Sequence, residues 1–369
     1  MKIIYDARWL PLDCKFDGVG RYSHELGVAL ATQPDVDITW LVHDERQLEL
    51  LPEWPHIMGN KPDDIWAELH HLPSVLETAN PDIVYSPFFL AALARGKYRL
   101  IVTIHDTIYY HYRTPPHWLP WYVRAAWWLF HAGKAPMRWL LDRADAVATV
   151  SDTAKQEILD WKLTKRPVYA VKNAVSSKFQ AEPAQHISRA SSNIVVHHGA
   201  VTPYKNVELI IDALPLVPDV EFHMLGRVPA ARMRALTKRI SDRGISDRVT
   251  IHNGVSDEEL LTMLATCRCL ISPSRIEGFG LPVIEAQLRG APVICADTPI
   301  YHEVGGDSVL YVGADDIEAC ANAIRQLADP HLSERLVEAG IKNAHTFSWD
   351  KSAAQALAIC TQIGASHKS

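Results

Sequence analysis

Residues 267–296 constrain this chain more tightly than any other stretch. Cys267-Arg268-Cys269-Leu270-Ile271 reads as a short buried strand, and Ala291-Pro292-Val293-Ile294-Cys295-Ala296 as the next one. Between them lies Ser272-Pro273-Ser274-Arg275-Ile276-Glu277-Gly278-Phe279-Gly280-Leu281-Pro282-Val283-Ile284-Glu285-Ala286. Pro282 suits the first position of a helix, where its missing N–H costs nothing, and Gly290 suits the helix end. Strand, glycine loop, helix and strand in that order require a parallel sheet with a helix packed on it. Gly278 and Gly280 let the backbone come close to a ligand. The N–H groups and dipole of the helix start favour an anion there. Glu277 in the loop and Glu285, read here on the first helical turn, can line one pocket beside that anion site. N–H groups would hold phosphate while the acids hold hydroxyls, and a nucleotide sugar carries both. A tight structural loop with Glu285 as a helix-stabilising acid is the plain alternative.

The same alternation recurs along the chain. Strands are expected at 2–5, 38–42, 83–85, 100–104, 146–150 and 168–171, with a loop at 16–22, a helix at 23–31 and another at 66–78. The composition turns polar over 176–193, which reads as an interdomain linker. A second series follows: strands at 194–199, 221–225, 249–252 and 309–312, and helices at 207–214, 230–243, 257–265 and 317–327. The fold class is therefore α/β, with two Rossmann-like parallel-sheet halves. The expected domains are 1–180 and 190–348.

At 369 residues the chain fits two domains better than one. Hydrophobic and charged contents of 48% and 22% are ordinary for a soluble globular protein, and a net charge of −6 argues against a nucleic-acid partner. The six cysteines are scattered without metal-ligand spacing, so reduced thiols and a cytoplasmic setting are expected. Lys2 is followed at once by the first expected strand, so no signal peptide is expected. No apolar run approaches a membrane span. The 18 histidines include His70-His71 and His197-His198 but no His-Glu-x-x-His set, so no metal site is expected.

Glu277-x7-Glu285 within Pro-Ser-x-x-Glu-Gly-Phe-Gly-Leu-Pro resembles the signature of the retaining glycosyltransferases of family 4. The resemblance extends over nearly the whole chain, most strongly over 194–306. It implies the GT-B fold, with two Rossmann-like domains facing across a cleft and a last helix, here 349–363, returning to the first domain. It also implies donor-binding residues. Asp17-Gly18-Val19-Gly20-Arg21 is similar to the family's N-terminal glycine loop, which places Gly20 and Arg21 near the donor diphosphate; read alone it is a turn. His198-Gly199-Ala200-Val201-Thr202-Pro203-Tyr204-Lys205 resembles the phosphate-binding loop, with Gly199 in the loop and Lys205 as its cation. The family often carries an arginine here as well. This chain has Tyr204 and Ala200 instead, with Arg21 and Arg275 as possible replacements. His105, after the strand 100–104, resembles the histidine beside the reacting sugar. Gly226, Arg227 and Val255 would border the base, and Glu277, Gly278, Phe279, Gly280, Leu281 and Glu285 complete the donor site. Asn173 stands where the family has a Pro-Asn-Gly turn and reads as structural.

The implied activity is retaining transfer of a sugar from a nucleotide-sugar donor to a saccharide or lipid-linked saccharide. In it Glu277, His105 and Lys205 are the catalytic candidates and no metal or cofactor is needed. Asp82-Ile83-Val84-Tyr85-Ser86-Pro87 followed by Thr103-Ile104-His105-Asp106 is similar to bacterial mannosyltransferases of glycan assembly, which makes GDP-mannose the first donor expected, with a UDP-sugar as alternative. A nucleotide-sugar epimerase and a non-catalytic partner subunit of the same fold remain rival classes. Residues 108–139 concentrate tryptophan and tyrosine, including Trp118, Trp121, Trp127, Trp128 and Trp139, among Arg113, Arg124, Lys134 and Arg138. Two core helices would account for this. A surface dipping into the inner face of the membrane, where a lipid-linked acceptor resides, is the other reading.

Overall fold

Every strand pairing among the described residues is parallel, and the strands form two separate sheets. The computed structural model describes residues 1–13, 16, 18–115, 119–179 and 189–365; Asp17, Trp118, Cys14 and residues 180–188 of the polar stretch 176–193 lie outside them. The chain divides into two compact units, one of Met1–Asn173 with Ser348–Ser369 and one of Ala174–Phe347.

The first unit carries β1 (Lys2–Asp6), β2 (Asp37–Val42), β3 (His56–Met58), β4 (Ile83–Ser86), β5 (Arg99–Ile104), β6 (Ala146–Thr149) and β7 (Val168–Ala170), in spatial order β3-β2-β1-β4-β5-β6-β7. Ile3 pairs with Ile38 on one side and Ile83 on the other. The strand residues are apolar on both faces because helices cover both. Its helices are α1 (Gly18–Ala31), α2 (Ile65–His70), α3 (Leu72–Ala79), α4 (Ile108–His111), α5 (Trp121–Ala132), α6 (Ala135–Leu141) and α7 (Asp152–Asp160). One core beneath this sheet gathers Ile4, Leu41, Val84, Leu100, Val102 and Val147.

The second unit carries β8 (Ile194–His197), β9 (Glu221–Met224), β10 (Val249–Ile251), β11 (Cys269–Ser272), β12 (Val293–Ala296) and β13 (Leu310–Val312), in order β10-β9-β8-β11-β12-β13. Its helices are α8 (Glu208–Ala213), α9 (Ala230–Asp242), α10 (Asp257–Thr266), α11 (Leu281–Leu288), α12 (Pro299–Gly305), α13 (Ile317–Gln326) and α14 (Pro330–Ala344). The last helix, α15 (Trp349–Ala365), belongs to the first unit and packs on α1. Ser352 Oγ donates to the Lys172 carbonyl at 2.5 Å, and Trp349 meets the ring of Tyr22 edge-on.

Four local expectations need correction. Helix α1 starts at Gly18, so Gly20 and Arg21 lie in its first turn and not in a preceding loop. The first N–H groups of any helix lack intrahelical partners, so glycines there forgo little bonding, while buried Tyr22, Ser23, Leu26 and Leu30 anchor the rest. The helix expected at 66–78 is two helices, broken at His71, because Pro73 can neither donate to the preceding turn nor fit behind it. Glu285 is the fifth residue of α11 and so sits on its second turn. Gly280, in the left-handed region, is the cap, and the helix begins at Leu281. The described end of the polar stretch is folded: Arg189 is buried and donates to the carbonyls of Leu264 and Arg289.

Candidate active site

In the second sheet the chain leaves β8, builds β9 and β10 on one side, then crosses to build β11, β12 and β13 on the other. The loops after β8 and β11 therefore run in opposite directions, and open α/β sheets bind ligands in the crevice this creates. Lys205 follows β8 and Glu277 follows β11. Lys205 Nζ stands 2.5 Å from Glu277 Oε1, with both side chains largely buried. Lys205 ends a single 3-10 turn, Pro203–Lys205, which Asn206 terminates at φ 55°. Asparagine tolerates that left-handed geometry. Its side-chain amide donates to the carbonyls of Pro273 (3.3 Å) and Ala314 (2.7 Å), tying the lysine loop to the loops after β11 and β13.

Glu277 is also reached by Tyr301 from α12, whose hydroxyl lies 3.4 Å from Oε1 and 2.5 Å from Ser272 Oγ. Burial, with the Glu277 charge nearby, pushes the Tyr301 phenol well above its ordinary range, so it stays a neutral donor. Gly280 adopts φ 92°, and a side chain there would press on the Tyr301 ring at 3.1 Å. This glycine turns the chain so that α11 starts beside Glu277. Phe279 is buried and packs edge-on against Phe347. Glu285 is 1% exposed, and His198 Nε2 lies 3.8 Å from its Oε2. The neighbouring His197 is fully buried, donates from Nδ1 to the Ile271 carbonyl, and is pushed down to about 4 by burial.

Gly199 and Gly226 hold the neighbouring strand ends in contact. Gly199 has φ 120°, and a Cβ on Gly226 would lie 1.6 Å from the Gly199 carbonyl oxygen. Val201 N–H donates to the Arg227 carbonyl, and Val228 N–H to the Asn253 side chain, just before Gly254 and Val255. Gly199, Lys205, Gly226, Arg227, Val255, Glu277, Gly278, Phe279, Gly280, Leu281 and Glu285 thus collect at the carboxyl ends or following turns of β8, β9, β10 and β11. Gly20, Arg21 and His105 belong to the first unit. There Tyr22 of α1 meets the His105 ring edge-on, and His105 Nε2 donates to the Pro87 carbonyl at 2.7 Å. A carbonyl only accepts, so Nε2 is the donor of that bond.

Arg275 is engaged by Asp315 (Nη1 to Oδ2 3.0 Å) and by Asn206 Oδ1. Asn206 and Tyr301 escaped the sequence reading. Asparagine directly after the lysine was the available signal for the first; Tyr301 gave none, because only folding brings α12 to the loop. The paired aspartates 63–64 and 315–316 supply helix caps, with Asp64 accepting from Ala67 N–H and Asp316 from Ala319 N–H. Among the described residues no group of three or more His, Cys, Asp or Glu is placed to hold a metal, and no helix is long and apolar enough to cross a membrane.

Comparison with known proteins agrees with this geometry. Residues 16–179 match the family described as Glycosyltransferase Family 4, and 178–343 match Glycosyl transferases group 1. The chain is 27% identical to O-antigen chain mannosyltransferase B of Escherichia coli, over 97% of this chain and 98% of that protein. It is also 27% identical to O-antigen chain mannosyltransferase RfbU of Salmonella typhimurium, over 83% and 78%. Sucrose-phosphate synthase from Thermosynechococcus elongatus superposes with a TM-score of 0.75 at 18% identity, covering 99% of each chain. Anabaena HepE, solved with UDP and glucose, superposes at 0.67 and 19% identity, covering 98% of this chain and all of that one. With two glycosyltransferase domains spanning most of its length on two Rossmann-like sheets, the chain belongs to the family-4 glycosyltransferases of the GT-B fold and is related to the bacterial O-antigen mannosyltransferases.

Proposed function

We propose that the protein is a retaining mannosyltransferase that takes mannose from GDP-mannose and passes it to a saccharide or lipid-linked saccharide at the cytoplasmic face of the membrane. The observation that carries the site assignment is the Lys205–Glu277 pair at the switch point beside the start of α11. Lys205 and the helix start stabilise charge on the leaving diphosphate. Glu277 orients the transferred sugar, and Glu285 accepts from the ribose hydroxyls. Gly199, Gly226, Arg227 and Val255 border the base; Gly20, Arg21 and His105 are the candidate residues of the first unit. The bond from the anomeric carbon to phosphate breaks and one to the acceptor oxygen forms on the same face. The acceptor's proton passes to the leaving diphosphate. Positioning and charge stabilisation are the protein's share of this work, and with Lys205 at the diphosphate no divalent ion is required.

Mannose is favoured by the O-antigen mannosyltransferases among the relatives; a UDP-sugar is the second reading, supported by the UDP and glucose bound to HepE. A thermal-shift panel of GDP-, UDP-, ADP- and dTDP-sugars decides between them. A ligand at 100 times its dissociation constant stabilises by about 2.7 kcal/mol. Stabilisation by GDP-mannose alone, followed by NMR detection of an α-linked product made in EDTA, is the expected result. Stabilisation by UDP-sugars instead moves the assignment to the second reading. A β-linked product excludes retention.

The aromatic segment supports the lipid-linked acceptor. On α5, Trp121, Trp128 and Leu129 are 80%, 49% and 66% exposed, and Trp139 on α6 is 57% exposed. Arg124 and Lys134 stand exposed among them. Tryptophan at the depth of lipid headgroups, with cations beside it, suits an anionic membrane surface.

A further inference from the structure

The first sheet has its own switch point. From β1 the chain builds β2 and β3 to one side, then crosses to β4 and the strands beyond. The loops after β1 and β4 are bridged by one aromatic contact: Trp9 and Phe88 have ring centroids 4.2 Å apart. Phe88 continues to His105 at the end of β5, centroids 6.5 Å apart. Three aromatic rings therefore run across the carboxyl ends of three adjacent strands, each half-buried. We propose that Trp9 and Phe88 form the stacking platform for a pyranose ring of the acceptor.

Three features favour a ligand surface over core packing. The first is rigidity. Buried Gln47 donates its two amide hydrogens to the carbonyls of Arg8 (3.1 Å) and Leu10 (2.8 Å), the residues flanking Trp9. Arg8 is itself buried in ion pairs with Asp6 and Glu68. Trp9 is thus held on both sides before any ligand arrives, which lowers the ordering cost of binding. The second is chemistry. The face of an indole is electron-rich, and the axial C–H bonds of a pyranose offer it a matching positive edge while the hydroxyls stay free for polar partners. The third is polar demand. Trp9 Nε1 and, at the adjacent end of β2, His43 Nδ1 are buried without a hydrogen-bond partner among the described residues. Unpaired buried donors and acceptors are few in native proteins and cluster where a ligand or water completes them.

This inference rests on the glycosyl-transfer reading above but concerns the first unit alone, so its failure can be told from the failure of the donor site. The full-length protein, labelled with 5-fluorotryptophan, is titrated with methyl α-D-mannopyranoside and observed by fluorine NMR. The Trp9→Phe variant identifies the Trp9 signal. That signal is expected to move with the mannoside, with or without GDP present. Trp9→Ala is expected to weaken mannoside binding roughly tenfold and to raise the acceptor KM while leaving the donor KM and the GDP-induced thermal shift unchanged. Trp9→Phe should retain most of the affinity. A Trp9 signal indifferent to the mannoside, while GDP still stabilises the protein, overturns the platform. So does a Trp9→Ala variant with an unchanged acceptor KM. Loss of the GDP shift in the wild-type protein would instead count against the donor assignment.

Discussion

Lys205 and Glu277 neutralise one another at 2.5 Å across the switch point of the second sheet. In this geometry each side chain fixes the position of the other. On the proposed assignment, replacing Lys205 by alanine removes the cation that pairs with Glu277 and one counter-charge of the diphosphate. Nucleotide affinity should fall by about 10- to 150-fold, the worth of a charged hydrogen bond of about 1.5–3 kcal/mol. Glu277→Gln acts differently: it releases Lys205 from its partner. Free GDP should bind that variant at least as tightly as the wild type, while kcat drops by a similar factor. Calorimetric titration with GDP beside steady-state kinetics separates the two effects, and equal losses in both variants would contradict the division of roles.

Glu285 is buried on the second turn of α11 with His198 as a near neighbour. Its substitution by glutamine keeps the shape but weakens acceptance from two hydroxyls. The expected result is a rise in donor Kd of about tenfold or more with little change in kcat at saturation. A deoxyribose version of the nucleotide should lose less affinity in the variant than in the wild type. An equal loss in both would remove Glu285 from the ribose.

Gly226→Ala would place a methyl group 1.6 Å from the Gly199 carbonyl oxygen, a separation that backbone atoms cannot accept. The ends of β8 and β9 must then part. Overpacking of this kind costs about 1–3 kcal/mol or more, and the same displacement disturbs the loop leading to Lys205. Thermal denaturation should show a lowered Tm together with weakened GDP binding. A variant with wild-type Tm would show that the two loops can separate freely.

Acid should destabilise the second unit through His197. Burial holds its folded-state value at about 4, against 6.5 when unfolded. Between those values the unfolded chain binds a proton that the folded one does not, so stability falls as pH drops from 6.5 towards 4. The contribution is about 3 kcal/mol across that window. Denaturant unfolding of the wild type and His197→Gln at pH 7 and pH 5 measures it; the variant should lose less stability on acidification than the wild type.

The exposed tryptophans of α5 give the membrane proposal a direct test. Sedimentation with anionic liposomes should be strong at low salt and weak at high salt, since charge attraction is screened. The double substitution Trp121→Ala, Trp128→Ala should reduce it with little change in Tm, because Trp121 stands largely and Trp128 about half in solvent. Wild-type protein that ignores anionic liposomes at low salt would leave these rings without a lipid role.

Much of this protein was determined by its sequence, because the determining signals are local. Short apolar runs separated by helical periodicity dictate parallel sheets, and twelve of the thirteen strands among the described residues were expected; the edge strand β3 (His56–Met58), exposed at both ends, was not. Glycine and proline mark turns through backbone sterics alone, so the loop from Ser272 to Leu281 and the end of α11 at Gly290 were readable. The sequence also places Glu277 and Glu285 close along the chain, on the loop after β11 and on the helix that follows it. Tertiary structure decided the rest. Where α1 begins depends on burial of Tyr22 and Ser23 against the sheet and not on the propensity of Gly18 and Gly20. Tyr301 reaches Glu277 only because α12 folds back beside β11, and Asn206 clamps two loops far apart in sequence. The Trp9–Phe88 contact exists because β1 and β4 are neighbours in space with two strands intervening along the chain. Strand order is set by the packing of the entire sheet, and no local pattern around Trp9 or Phe88 encodes it.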